Sequence, residues 1–283
     1  MKGRVSAQHR TAFVTGAASG LGRAFTAMLL DEGVRVWGTS RDPARLAGLG
    51  GARAESPFTP VALDLADGAA AEAAFRRAVG DAGGSFDLVI NNAGYGVFGD
   101  FAETPAEVWL AQIDALLLAT LRLNRAAFGL MRARGRGCLV NISSLAAEFP
   151  LPFMAGYNVA KAGLSALSES LIFESRGTAV TVIDFRPGDY RTAFNDAMKT
   201  SSSPAASPAP ARRAAAWRVL ERNLRASPPA ARAAADLRRA LRRNRSGVVR
   251  SGSWFQACAA PFLARLAPAA LVRAATARYF GCR

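Results

Sequence analysis

The sequence predicts an α/β protein: one doubly wound parallel sheet of about seven strands, with helices on both faces. Three observations predict it. Short apolar runs alternate with longer helical patterns, the order that makes a parallel sheet. The first run leads through a glycine-rich loop into an amphipathic helix. The chain has 283 residues, 51% of them hydrophobic, enough for one large core.

The elements follow in order. Thr11–Thr15 is apolar and β-branched and reads as a buried strand. The loop from Thr15 to Gly22 comes next, then a helix to about Glu32. A second strand over Val34–Thr39 ends in Ser40-Arg41. Further strands are expected near Thr59–Leu63, Phe86–Ile90, Gly137–Ile142, Ala179–Phe185 and Gly247–Arg250. Long helices are expected over Pro105–Arg134 and Gly156–Ser175. Thr200–Pro210 is rich in Ser, Pro and Ala and reads as a loop. Two arginine-rich helices should follow, about Ala211–Arg225 and Pro229–Arg243. The tail after Gly252 carries Trp254, Phe255, Phe262, Leu263, Leu266 and Leu271, broken by Arg265 and Pro268. It falls short of the roughly 20 apolar residues that span a bilayer. It suits subunit or core packing first, then a cover over a substrate entrance or an interfacial membrane helix. The plan is thus an N-terminal arm (1–10), a catalytic domain (11–252) with a lid at 195–246, and a helical extension (253–283).

The chemistry centres on Tyr157, Lys161 and Ser144. On a helix, residues four apart share a face, so Lys161 lies beside Tyr157. Free tyrosine titrates near pH 10. A neighbouring cation favours phenolate and should draw that value toward neutrality. Ser144, thirteen residues before the tyrosine, can hydrogen-bond the same substrate oxygen. Together they suit protonating a carbonyl oxygen while a hydride arrives. An isolated Tyr-x-x-x-Lys is more often two unrelated polar residues on an exposed helix, so the glycine loop decides. Gly16, Gly20 and Gly22 let backbone approach a pyrophosphate, and the helix opening after Ser19 offers free N–H groups and a positive dipole end. At the end of the second strand, where an acid usually holds a ribose 2′-hydroxyl, stand Ser40 and Arg41. A guanidinium suits a 2′-phosphate, which favours NADP(H) over NAD(H). Asp42 can accept from ribose and tempers that preference.

These motifs resemble the short-chain dehydrogenase/reductase family from about Thr11 to Thr192, roughly two-thirds of the chain. Thr15-Gly16-x-x-x-Gly20-x-Gly22 resembles its nucleotide loop, with Ser19 and Leu21 inside it. Asp64-Leu65 resembles its adenine-side acid segment. Asn91-Asn92-Ala93-Gly94 resembles its fourth-strand motif. Asn141-Ile142-Ser143-Ser144 resembles its catalytic serine segment, and Tyr157-x-x-x-Lys161 its catalytic pair. Pro187-Gly188-Asp189-Tyr190-Arg191-Thr192 resembles the segment holding the nicotinamide. The resemblance implies a Rossmann-type fold. It implies a cofactor site of Gly16, Ser19, Gly20, Leu21, Gly22, Ser40, Arg41, Asp64, Leu65, Asn91, Ala93, Gly94, Tyr157, Lys161, Pro187, Gly188 and Thr192. It also implies a homodimer or homotetramer built through the two long helices. One departure is Leu116, where the family usually has an asparagine holding a relay water; Thr120 is one turn further on the same face.

Residues expected to line a substrate pocket come from loops after the strands: Tyr95, Val97 and Phe98, then Phe149, Leu151, Phe153 and Met154, then Tyr190 and Phe194, with Glu148 at the rim. Their apolar, aromatic character suggests a lipophilic ketone, aldehyde or alcohol. The leading expectation is an NADP(H)-dependent oxidoreductase. Alternatives are an isomerase, dehydratase or lyase using the Tyr-Lys pair without net redox, or a non-catalytic NADP(H) sensor. Net charge is +15, and residues 201–283 hold 16 basic against 2 acidic residues. Such a face fits an anionic membrane surface, while sparse aromatic residues among its arginines argue against nucleic acid. The three cysteines lack metal spacing and the single histidine, His9, excludes a histidine-based triad. No apolar leader is visible at the start, so a cytoplasmic protein is expected.

Overall fold

The structure is a computed structural model that describes residues 4–49, 57–192, 194, 198–200 and 209–282. In chain order the elements begin with β1 (Thr11–Val14), α1 (Gly20–Asp31), β2 (Arg35–Ser40), β3 (Phe58–Ala62), α2 (Gly68–Asp81), β4 (Leu88–Asn91) and β5 (Val97–Phe98). Next come α3 (Ala106–Ile113), a π turn over Asp114–Leu118, α4 (Ala119–Arg134), β6 (Arg136–Ile142), α5 (Ala155–Glu174) and β7 (Ala179–Pro187). The chain closes with β8 (Lys199–Thr200), α6 (Ala209–Ala226), α7 (Ala230–Arg243), β9 (Gly247–Ser251), α8 (Ala260–Leu266) and α9 (Ala269–Tyr279).

Seven strands form one parallel sheet in the order β3-β2-β1-β4-β6-β7-β9, and β5 pairs with β8 apart from it. The alternation of side chains sorts the sheet into two cores. Phe13, Val89 and Leu139 face one side, against α2, α4 and α5; Ala12, Val14, Leu88, Ile90 and Val140 face the other, against α1 and α7. Each fully buried Leu, Ile or Phe is worth roughly 1.5–3 kcal/mol. The chain leaves β1 for β2 and β3 on one side and returns to β4 on the other. Strand order therefore reverses between β1 and β4, where α/β sheets open a binding crevice.

Three expectations are corrected here. The residues set apart as an N-terminal arm (1–10) join the main fold from Val5: Val5 is buried, its N–H donates to Glu32 Oε2 at 2.9 Å, and His9 is buried too. The part of the expected lid from Ala230 onward is a layer helix, because Ala233, Leu237 and Leu241 pack with Phe25 and Leu29 of α1. Within the expected lid, residues 195–197 and 201–208 lie outside the described residues. The long helix expected over Pro105–Arg134 is continuous but passes through the π turn, on which Leu116 is buried.

Candidate active site

The glycine loop follows β1 and the Asn91–Gly94 segment follows β4, so the switch point brings them face to face. Gly16 has φ +69°, and a Cβ there would lie 2.9 Å from Ala93 Cα. A Cβ on Gly22 would lie 2.1 Å from the Gly16 carbonyl oxygen and 2.5 Å from Asn92 Nδ2. Both positions therefore exclude any side chain. Thr15 ties the two segments: its hydroxyl accepts from the Asn92 and Ala93 amides at 2.8 and 3.0 Å. Ser19 precedes α1 in extended backbone, exposed, and its side chain makes no cap hydrogen bond. The first N–H groups of α1 thus face the loop without a cap, a cradle that fits an anion. Thr192 closes the cradle, its Cβ 3.4 Å from where a Gly20 Cβ would stand.

At the end of β2, Ser40 is buried and its hydroxyl accepts from the Asp42 amide at 3.2 Å. Asp42 caps the turn Pro43–Leu46, accepting from the Ala44 amide at 3.0 Å. Arg41 is exposed, and no described acid forms an ion pair with it. Asp64 is exposed and caps its own turn at Ala66. Leu21 and Leu65 pack their side chains against the core. The Asn91 side chain donates to Asn141 Oδ1 at 3.0 Å and holds β4 to β6 inside the sheet. The glycine cradle and its uncapped helix fit a dinucleotide; Gly94 lies by Leu116 and Lys161, and the Pro187 carbonyl accepts from the Ser144 hydroxyl at 3.5 Å.

Tyr157 and Lys161 lie on α5, and Ser144 follows β6. Lys161 Nζ donates to the Ile142 carbonyl at 2.7 Å and sits 5.7 Å from the Tyr157 ring centroid. Burial pushes Lys161 down to about 8, against the upward pull of Asp184. Burial also pushes the Tyr157 phenol up to about 12, although a hydrogen bond with Ser144 pulls it down and Asp189 raises it further. In the protein alone the direction is thus upward, because desolvation in an apolar wall is its largest cause. Ser144 Oγ accepts from the Ala146 amide at 3.0 Å, which fixes its position. Leu116 borders this end: its side chain and Lys161 Nζ both lie 3.8 Å from where a Gly94 Cβ would stand.

Ser144 and Tyr157 open onto a cavity of about 480 Å³. Of the ten residues expected around it, Phe149, Leu151, Met154 and Phe194 line it, while Val97 and Phe98 are buried on β5. Glu148 does not, because Arg186 and Arg250 hold its carboxylate at 2.6 and 2.8 Å. Burial raises that carboxyl, but the two arginines outweigh it and leave it lowered. Tyr190 does not either: it is buried against the α1–α7 core, its hydroxyl 2.6 Å from Ser251 Oγ. Phe153 turns to Phe98, ring centroids 5.6 Å apart, and Tyr95 packs on the opposite core. The remaining wall comes from the C-terminal part, with Leu220 and Leu224 of α6 and Leu263, Leu271, Val272 and Tyr279 of α8 and α9. The sequence suggests subunit or core packing first for that tail, with a cover over a substrate entrance as an alternative. Its apolar spacing was visible, but not its partner. Asp189 and Gln256 also line the cavity and were missed; the acid directly after Pro187-Gly188 was the available signal.

The family described as short chain dehydrogenase matches residues 10–202. A 3-ketodihydrosphingosine reductase from Bacteroides thetaiotaomicron is 29% identical over 189 residues, 67% of each chain. An uncharacterized oxidoreductase from Myxococcus xanthus is 38% identical over 182 residues, 64% of this chain and 72% of that one. Among solved structures, a short-chain dehydrogenase from Streptomyces avermitilis superposes with a TM-score of 0.78 at 27% identity, covering 92% of this chain and 95% of its own. A short chain dehydrogenase/reductase from Burkholderia phymatum in complex with NAD gives a TM-score of 0.78 at 25% identity, covering 92% of each. A metagenomic short-chain oxidoreductase in complex with NADP gives 0.59 at 37% identity, over 64% of this chain and 83% of that one. With its glycine cradle at the switch point and its serine, tyrosine and lysine at the head of the cavity, the chain belongs to the short-chain dehydrogenase/reductase family of oxidoreductases acting on CH–OH and C=O groups.

Proposed function

We propose that the protein interconverts a lipophilic ketone or aldehyde and its alcohol, with NADP(H) as the redox partner and Tyr157 as the acid–base group. The observation that carries the reading is the meeting of Ser144 and Tyr157 in the wall of an apolar cavity, with Lys161 behind them. NADP(H), when bound in the glycine cradle, supplies or takes up the hydride. Ser144 orients the substrate oxygen, and Tyr157 delivers or accepts its proton. Lys161, held by the Ile142 carbonyl, keeps a buried positive charge beside the ring. The similarity to a reductase of 3-ketodihydrosphingosine supports a lipophilic keto substrate. Arg41 supports NADP(H): Asp42 commits its carboxylate to a local turn, so the guanidinium is left for a 2′-phosphate. Exposed Leu110, Leu118, Leu121, Val159 and Phe173 on the two long helices support a homodimer or homotetramer.

The test is consumption of NADPH and NADH with a panel of lipophilic ketones and aldehydes. Tyr157→Phe is expected to bind cofactor normally while turnover falls by about 10²–10⁴, the usual worth of a positioned acid. Arg41→Ala is expected to raise KM for NADPH by about tenfold to a hundredfold, the size of a charge-assisted hydrogen bond, and to leave NADH unchanged. Full activity in Tyr157→Phe would sink the mechanism. Product formed without net NADPH consumption would move the assignment to isomerase, dehydratase or lyase chemistry.

A further inference from the structure

The acids of the interior and of the cavity wall are not treated alike. Asp184 accepts from Arg186 Nε at 2.7 Å and from Ser165 Oγ at 2.8 Å. Glu148 is held by Arg186 and Arg250. Asp189, in the cavity wall beside Ser144 and Tyr157, has no such partner: among the described side chains no cation forms an ion pair with it. Its carboxylate accepts from Gln256, Nε2 to Oδ2 at 2.7 Å. That contact is built in. Gln256 Oε1 lies 2.8 Å from where a Gly188 Cβ would stand and 3.2 Å from a Gly252 Cβ, so two glycines make room for it. The carboxylate is thus fixed through one oxygen, in a chamber otherwise walled mainly by Leu, Phe, Ala and Val.

We propose that Asp189 is a cation subsite, so that the cavity selects lipophilic carbonyl or alcohol substrates carrying an ammonium group near the reacting carbon. The proposal deepens the carbonyl–alcohol reading and rests on it for which carbon reacts. Burial raises the Asp189 carboxyl, and the hydrogen bond from Gln256 opposes it. Burial is also the larger cause that raises the phenols of Tyr157 and Tyr279, and the Asp189 charge raises both further. A substrate ammonium supplies the countercharge that the protein itself withholds.

The test is binding of octylammonium and of 1-octanol to the NADPH-saturated protein by calorimetry, so that it does not depend on turnover. Octylammonium is expected to bind about tenfold tighter or more. In Asp189→Asn that margin should vanish, with octanol affinity and melting temperature unchanged. In Gln256→Ala the margin should persist. Equal affinities in the wild type would overturn the subsite, and so would Asp189→Asn weakening both ligands alike. Tyr157→Phe should keep the ammonium margin while losing turnover, which separates failure of the subsite from failure of the acid–base assignment.

A second observation stands apart from that carboxylate. Trp254, Phe262 and Leu266 are 72%, 64% and 71% exposed, and Phe255, Leu263, Leu271 and Tyr279 are exposed while also lining the cavity. Arg265, Arg273 and Arg278 stand exposed on the same helices, without a described acidic partner. We infer that this face docks on an anionic lipid bilayer, with the cavity mouth turned to the lipid. Arginines around an apolar face complement such a surface, whereas two copies of the face would set like charges against each other. The test is sedimentation with phosphatidylcholine vesicles, with and without phosphatidylglycerol. Binding is expected only with the anionic lipid, reversed by high salt, and lost in Trp254→Ser/Phe262→Ser/Leu266→Ser while turnover of a water-soluble ketone persists. Equal binding to both vesicles, none to either, or conversion of an oligomer to monomer by the triple variant would overturn it.

Discussion

At the scale of single residues, Gly22 shows how closely the cofactor cradle is built. Its missing Cβ leaves room for the Gly16 carbonyl oxygen, 2.1 Å from where that atom would be. Gly22→Ala must therefore push apart the two turns of the loop, and its NADPH affinity is expected to fall at least about tenfold. Gly80 is the control: it lies exposed in α2, and nothing stands within 4 Å of its Cβ position. Gly80→Ala is expected to stabilise the fold by about 0.5–1 kcal/mol, since alanine loses less entropy in a helix. Denaturation and NADPH titration of both variants check the contrast. The glycines, Ser144, Tyr157 and Lys161 were legible as chemistry because their types and spacing are themselves the signal. Glu148 and Tyr190 were not, because an acid or a phenol beside a catalytic loop looks the same whether it faces a cavity or an arginine. The state of Tyr157 was also hidden: its raised pKa comes from the walls around it.

At the scale of elements, α7 illustrates how a pattern can be read correctly and placed wrongly. Its apolar positions recur at helical spacing, so the helix was expected close to where it lies. Its buried stripe of Ala233, Leu237 and Leu241 packs on α1, and Arg242 reaches Glu32 at 2.7 Å. Truncating that stripe should open a cavity between two helices of the main fold. Leu237→Ala is expected to cost about 2–5 kcal/mol. Arg239→Ala, on the exposed side, is expected to stay within about 0.5 kcal/mol. Chemical denaturation distinguishes them, and a lid helix would show little effect in either. The π turn at Asp114–Leu118 is a comparable case. Sequence placed Leu116 on a regular helix, while the structure puts it on an irregular turn against Lys161 and the Gly94 backbone.

For the whole molecule, the parallel sheet, its strand sequence and the crevice between β1 and β4 follow from order along the chain. Alternation of apolar strands with helices admits few topologies, and right-handed crossovers remove most of those. The main sheet has the seven strands expected, and the comparisons place it in its family. The sequence by itself thus determined the fold class, and it marked the glycine loop and the Ser144, Tyr157 and Lys161 grouping as the candidate site, because each is encoded locally by residue type and spacing. Only the tertiary structure decided which residues wall the cavity. The C-terminal helices α8 and α9 lie more than 100 positions beyond Tyr157 in sequence, yet they share one cavity with it. Such contacts depend on where helices pack, and an amphipathic pattern states that a face is buried without stating against what. The same holds for Asp189. Its identity was plain in the sequence, but its isolation from every described cation is a property of the packed molecule.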